Sequence, residues 1–246
     1  MPVCAKNPLH IRLYARSLGT YAKTDKNDAK IIAQYALERK VDAMQTVSKQ
    51  QLALKELLAS RRRFVVQRVQ LLNQLQTATQ ELVIKETQRL IEQTDTSIEH
   101  IEAAIDTIIA DDAEWKAQSE LLQSVPGIGK ETARTLLIEC PELGKGDADS
   151  VSCLVGVAPL NWDSGKMSGK RHIFGGRRSV RCALFNAVRA AIHFTKTDNV
   201  FKRMFERLRL AGKSYKSAMI AAAHKMLKIA HALLKSGTKW ENKLTA

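Results

Sequence analysis

Between Pro8 and Pro126 the chain contains no proline and one glycine, Gly19. Proline breaks the hydrogen-bond ladder of a helix, and glycine costs roughly 1 kcal/mol in its interior. This long stretch is therefore free to be helical throughout, which constrains the fold more than any other feature. Residues 9–18 are predicted to form a short amphipathic helix, with Leu9, Leu13 and Leu18 set against Arg12 and Arg16 and Gly19 as its stop. Thr24 or Asp25 then caps a helix running to about residue 40, with Ile31, Ile32, Tyr35 and Ala36 as its buried face. From 48 to 109, leucine, valine and isoleucine recur at three- and four-residue steps, including Leu54, Leu58, Leu72, Ile91, Ile98 and Ile105. A narrow apolar stripe on two long polar helices cannot bury itself. The pattern predicts an antiparallel helical hairpin that bends within 79–87 and pairs with itself or with a second chain.

Composition agrees with a mainly α fold. Only 5% of the 246 residues are aromatic and five are proline, which disfavours a β-sandwich, a collagen-like chain or a disordered tail. No apolar run approaches the ~18 residues of a membrane span and no signal peptide opens the chain, so a cytoplasmic, nucleoid-associated protein without a membrane partner is expected. Cys4, Cys140, Cys153 and Cys182 form no C-x-x-C pair, which disfavours a disulfide scaffold or zinc finger.

The formal charge is +14, and it is unevenly placed. Residues 1–120 carry 17 basic and 16 acidic side chains, whereas 121–246 carry 22 and 9. Residues 166–216 hold 14 basic side chains against Asp198 and Glu206. A field this concentrated calls for a polyanion, and nucleic-acid phosphate fits it better than an anionic membrane or a merely solvated surface. Eleven of the twelve glycines also lie beyond Leu121, which places a domain boundary near 114–118. Helices are predicted at 130–140, 179–196, 198–211 and 214–236, with a loop-rich segment over 141–178. The last helix would bury Met219, Ala223, Met226, Ile229 and Leu233.

Three segments carry chemistry. Residues 121–137 read as a helix-hairpin-helix. Pro126 stops one helix, Gly127 and Gly129 permit a tight turn, Ile128 plugs the gap, and Ala133 allows close approach. The outward N–H groups of such a turn can hold a DNA phosphate, aided by Lys130 and Arg134, although some hairpins of this kind only pack. The segment 156–181 sets Ser164 and Ser168 on glycine turns among Lys166, Lys170, Arg171, Arg177, Arg178 and Arg181. An exposed serine hydroxyl beside cations has the parts of a phosphodiester nucleophile, and the same residues serve equally for phosphate binding alone. Asp25 and Asp28 stand three apart at a helix start, close enough to share a divalent cation, while acids are also favoured there by the helix dipole.

In their order and spacing these segments resemble one family, the DEDD-type insertion-sequence transposases. This is the Piv-like "insertion sequence one-ten" group, which includes bridge-RNA-guided serine recombinases. The resemblance is carried by residues 23–29 (Lys-Thr-Asp-Lys-Asn-Asp-Ala), by Val-Pro-Gly-Ile-Gly at 125–129 and by Gly-Val-Ala-Pro at 156–159. Asp163-Ser164-Gly165, Ser168-Gly169 and Gly175-Gly176 follow, with Arg181 and Leu184 beyond them. It implies a remnant of an RNase-H/RuvC-like domain over 1–45 and a helical coiled-coil hairpin over 46–117. A helical C-terminal transposase domain would fill 118–246, with the helix-hairpin-helix at 121–144 and the serine loop at 156–178. By resemblance Asp25 and Asp28 are the third and fourth acids of a D-E-D-D magnesium (Mg²⁺) site. Ser164 is the nucleophile, with Ser168 second. The nucleic-acid contacts would come from Gly127, Gly129, Lys130, Arg134, Lys166, Lys170, Arg171, Arg177, Arg178 and Arg181. The partners implied are DNA, in some members a structured guide RNA, and further copies of the chain as a dimer or tetramer. The family's first Asp and its Glu precede the segment that Asn7 begins, and only Met-Pro-Val-Cys-Ala-Lys stands there. The resemblance thus implies a truncated domain, a residual edge strand over 2–6 and an inactive isolated chain. A non-catalytic helix-hairpin-helix DNA-binding protein is the competing expectation.

Overall fold

The computed structural model describes residues 4, 6–22, 24–39, 48–161, 163–164, 169 and 171–241. Among them the chain is mainly α: ten helices, no strand, and one isolated antiparallel bridge between Leu160 and His172. The expected edge strand over 2–6 falls largely outside the described residues. No helix is long and apolar enough to cross a membrane. The chain divides into two compact units, Met1–Lys49 and Gln50–Ala246.

In the first unit, α1 (Pro8–Ser17) starts where Asn7 accepts the Leu9 N–H at 3.0 Å, with Pro8 in the first turn. It ends at Gly19, whose φ of +73° is the left-handed conformation that closes a helix. Thr24 caps α2 (Asp25–Arg39) by accepting the Asn27 N–H on its hydroxyl at 3.3 Å. The two helices meet through Tyr14 and Ile31, and the Tyr14 and Tyr35 rings pack edge to face at 5.2 Å. The expected buried face is only partly realised. Ile32 is 53% exposed and Leu9 and Leu13 are also exposed, because two short helices cannot cover all the apolar surface they carry.

In the second unit, α3 (Lys49–Thr77) and α4 (Glu81–Ala110) form the expected antiparallel hairpin, and the turn falls at residues 78–80. Its register is visible in pairs that converge on the turn. Leu54 and Leu58 pack with Ile109 and Ile105, Arg61 bonds Glu102 at 2.6 Å, and Arg68 bonds Asp95. The helices therefore pair within one chain. Ile138 joins the same apolar cluster, which continues the packing from the hairpin into the C-terminal helices.

There α5 (Ala113–Gln123), α7 (Ala148–Val155), α8 (Arg178–His193) and α9 (Val200–Leu210) pack on α10 (Tyr215–Ser236), while α6 (Lys130–Glu139) packs on α5 and α8. Met219, Ala223, Met226 and Leu233 are buried as expected, with Ile229 packed beside them. Helix α7 lies inside the segment expected to be loop-rich. Its signals were Asp147, which accepts the Ser150 N–H at 2.8 Å, and Gly156, which closes it at φ +78°. Only eight residues long, it shows too little periodicity to be read from sequence.

Candidate nucleic-acid site around Ser164

The hairpin between α5 and α6 forms as expected, but its two glycines differ. Gly127 has φ +87°, and a Cβ there would lie 2.2 Å from the Ala187 carbonyl, so glycine is what lets the turn touch α8. Gly129 has φ −87° and open space around it, and it starts α6 as an ordinary extended residue. Ile128 and Ala133 fill the core below the turn.

The two cations assigned to phosphate at this turn are committed elsewhere. Arg134 is a correction: it is 2% exposed, and its guanidinium bonds Asp106 and Glu131 while also facing Glu102. Lys130 pairs with Asp106, and Arg61 bridges Glu102 to Glu131 at 2.7 Å. Burial by itself would raise the Asp106 carboxyl, but hydrogen bonds from Lys130 and Arg134 hold it below the usual carboxylate range. These groups tie α6 to the hairpin. The Glu131 partner, three residues back, is the local part of this network, but Asp106 and Glu102 lie about thirty residues away and could not be read from the sequence.

The serine segment leaves the core between Val155 and Arg178, and its root is tightly fixed. The Arg177 N–H donates to the Leu154 carbonyl at 3.0 Å, and the Arg181 guanidinium donates to the carbonyls of Gly175 and Gly156. Farther out, the Leu160 N–H donates to the His172 carbonyl at 3.0 Å, and Asp163 accepts the Gly169 N–H at 3.0 Å. Ser164 stands beside Asp163 and is exposed. Lys166, Ser168 and Lys170 lie outside the described residues.

Arg177 corrects another expectation, since it faces inward. Its guanidinium holds both carboxylate oxygens of Glu142 and donates to the Glu139 carbonyl at 2.9 Å. Those bonds keep Glu142 below the usual carboxylate range, against the opposing effect of burial, and raise Arg177 above its ordinary value. The Glu139 side chain accepts from Ser179 and Arg62, which links the start of α8 to α3. Glu139, Glu142, Arg62 and Ser179 were not among the expected residues, and no local pattern marks them. Arg171 and Arg178 remain exposed and make no ion pair among the described residues. Arg178 and Arg181 occupy the first turn of α8, where the helix dipole disfavours cations, so the positive potential of the segment is reinforced. Cys140 is buried beneath, its thiol pushed up to about 11 by burial, and it is no rival nucleophile.

In the first unit, Asp25 is exposed and Asp28 half-buried, both in the first turn of α2. Asp28 lines a groove of about 740 Å³ together with Lys6, Arg12 and Arg16. Among the described residues no cluster of three or more Asp, Glu, His or Cys forms. Asp25 is not among the residues lining that groove, and magnesium asks for several oxygen ligands, so one carboxylate beside three cations does not fit it.

Comparisons with known proteins place this architecture among the transposases. Residues 119–205 match the profile described as the transposase IS116/IS110/IS902 family, and residues 1–84 match a second transposase profile, of the DEDD type. The chain is 30% identical to the pilin gene-inverting protein of Moraxella bovis, over 97% of this chain and 74% of that protein. The pilin gene-inverting protein of Moraxella lacunata matches at the same identity and coverage. An insertion element IS110 uncharacterized 43.6 kDa protein of Streptomyces coelicolor is 29% identical over 52% of this chain and 31% of its own. The chain belongs to the IS116/IS110/IS902 transposase family.

Proposed function

We propose that this protein cuts and rejoins DNA strands with Ser164 as the nucleophile, in the service of moving or inverting a DNA segment. One observation carries the reading: Ser164 is exposed on a segment whose root is held by Arg177 and Arg181, with Arg171 and Arg178 free to face phosphate. In the step, the Ser164 Oγ–P bond forms and the P–O bond to one neighbouring sugar breaks. The serine proton leaves, and the departing sugar oxygen gains one. The phosphodiester is conserved as a phosphoserine ester, so a sugar hydroxyl can later reverse the step and release the serine. Cations beside the developing phosphorane charge lower its barrier. No step is assigned to magnesium, because the residues present do not fit it.

DNA is the partner of this reading, and the structured RNA and further copies of the chain that the resemblance implies belong to it as well. Incubation with DNA carrying cognate element ends tests this reading against the inactive isolated chain that the resemblance implies: the expected result is a denaturation-resistant protein–DNA adduct that Ser164→Ala abolishes. An adduct that survives Ser164→Ala assigns another nucleophile. If neither protein forms an adduct while both bind the DNA, the protein is a binder without strand chemistry.

A further inference from the structure

Where α8, α9 and α10 converge, the described structure gathers three aromatic rings in mutual contact. The His193 ring stacks on Tyr215, with centroids 6.4 Å apart and planes 15° from parallel, and its Nε2 lies 3.3 Å from the Tyr215 hydroxyl. Phe205 meets both rings edge-on, at 6.3 and 5.4 Å, and anchors them to the core. Phe194 follows His193 in sequence as the C-cap of α8 and is 76% exposed, and Tyr215 is 41% exposed. The three rings in contact come from the end of α8, from α9 and from the start of α10, and His193 and Tyr215 are exposed.

Cations stand near these residues along their helices. Arg189 is exposed one turn before His193, Lys216 adjoins Tyr215, and Arg209 lies one turn beyond Phe205 and donates to the Lys213 carbonyl. Of the two acids between 189 and 216, Asp198 is bound to Arg203 at 3.0 Å, which leaves only Glu206 to offset the field.

Cations alone would suit a DNA duplex, but a duplex keeps its bases stacked inside and offers nothing to an exposed phenyl ring. Unpaired nucleotides satisfy both features at once: bases stack on the rings and phosphates meet the cations. We infer that the His193–Phe194–Tyr215 face is a binding platform for single-stranded nucleic acid. It goes beyond the strand-cutting role of Ser164 and does not need it. Breaking and exchanging strands exposes unpaired nucleotides, and this face would hold them.

The test is binding of the full chain to fluorescent oligothymidylate and oligouridylate of about 16 nucleotides, a length typical of such sites. A mixed-sequence duplex of equal length and phosphatidylglycerol vesicles serve as comparisons. Phe194→Ala should weaken single-strand binding roughly tenfold and Phe194→Trp should restore it, with duplex binding changed less than about twofold. Tyr215→Leu should act like Phe194→Ala, and Lys216→Gln should lower the salt dependence. Thymidylate and uridylate results each support the platform, and their ratio says whether DNA or RNA is preferred. No loss in Phe194→Ala, an equal loss on duplex, or vesicle binding that depends on Phe194 overturns it. Phe194 is so exposed that its removal spares the fold, which an unchanged melting temperature would verify. Ser164→Ala should bind single strands normally, so failure of the cutting assay and failure of the platform are separately visible.

Discussion

Gly156 and Gly176 meet backbone to backbone: a Cβ on Gly176 would lie 2.4 Å from the Gly156 nitrogen, and one on Gly156 would lie 2.4 Å from the Gly175 carbonyl. Both glycines also hold positive φ, at +78° and +74°. This contact closes the root of the serine segment, so Ser164 is carried by a fixed base rather than by a loose loop. Gly176→Ala combines a strained backbone with an overlap that no side chain can relieve. It should destabilise the protein by about 3 kcal/mol in urea denaturation and suppress any Ser164 adduct. Gly175→Ala has positive φ but open space, so its cost should stay near 1 kcal/mol.

Arg134 should prove structural. Arg134→Met removes one of the two cations from Asp106 and from Glu131 and leaves Lys130 and Arg61 to hold them, so it should cost about 1 to 2 kcal/mol in urea denaturation. Its DNA affinity, measured at a temperature where the variant is folded, should keep the wild-type salt dependence.

Arg171→Gln and Arg178→Gln should do the reverse. Both side chains are exposed. Each substitution should reduce the slope of log affinity against log salt by about one while leaving the melting temperature unchanged. A slope that falls with Arg134 instead would move the phosphate contacts back to the hairpin turn.

Acid should destabilise the fold in two stages. Burial, with Lys228 beside it and only partly offset by Asp149, holds His224 below its ordinary value. Protons therefore favour the unfolded chain once pH falls below about 6.5. Asp106 and Glu142 are held below the usual carboxylate range by their cations, so their contribution is full above that range and lost as pH drops through their lowered folded values. Melting temperature against pH should show both stages. His224→Gln should flatten the first, and Glu142→Gln should reduce the second.

Thiol labelling provides an independent check of the core. At about pH 8 iodoacetamide should modify exposed Cys153 and Cys182 quickly and leave Cys140 intact until the protein unfolds, as its buried thiol is hardly ionised. Fast labelling of Cys140 in the native state would mean that the base of the serine segment opens.

The helices apart from α7, the antiparallel hairpin, a cap at Thr24 or Asp25 and the buried face of α10 were legible in the residues. These are written locally, in apolar spacing, capping side chains and breakers a few residues apart. The sequence also marked Ser164 as a serine on a basic glycine segment, and the family to which the chain belongs. It did not show that Lys130, Arg134 and Arg177, three of the expected nucleic-acid residues, are bound to carboxylates. Nor did it reveal the ring cluster of His193, Phe205 and Tyr215. A basic side chain looks the same in sequence whether its partner is a phosphate or an aspartate. For Arg134 the choice was made by the antiparallel register of α3 and α4 and by Ile138, which seats α6 against them so that its guanidinium meets Asp106. Helix formation depends on neighbours along the chain, while ion pairing depends on which surfaces the folded chain brings together.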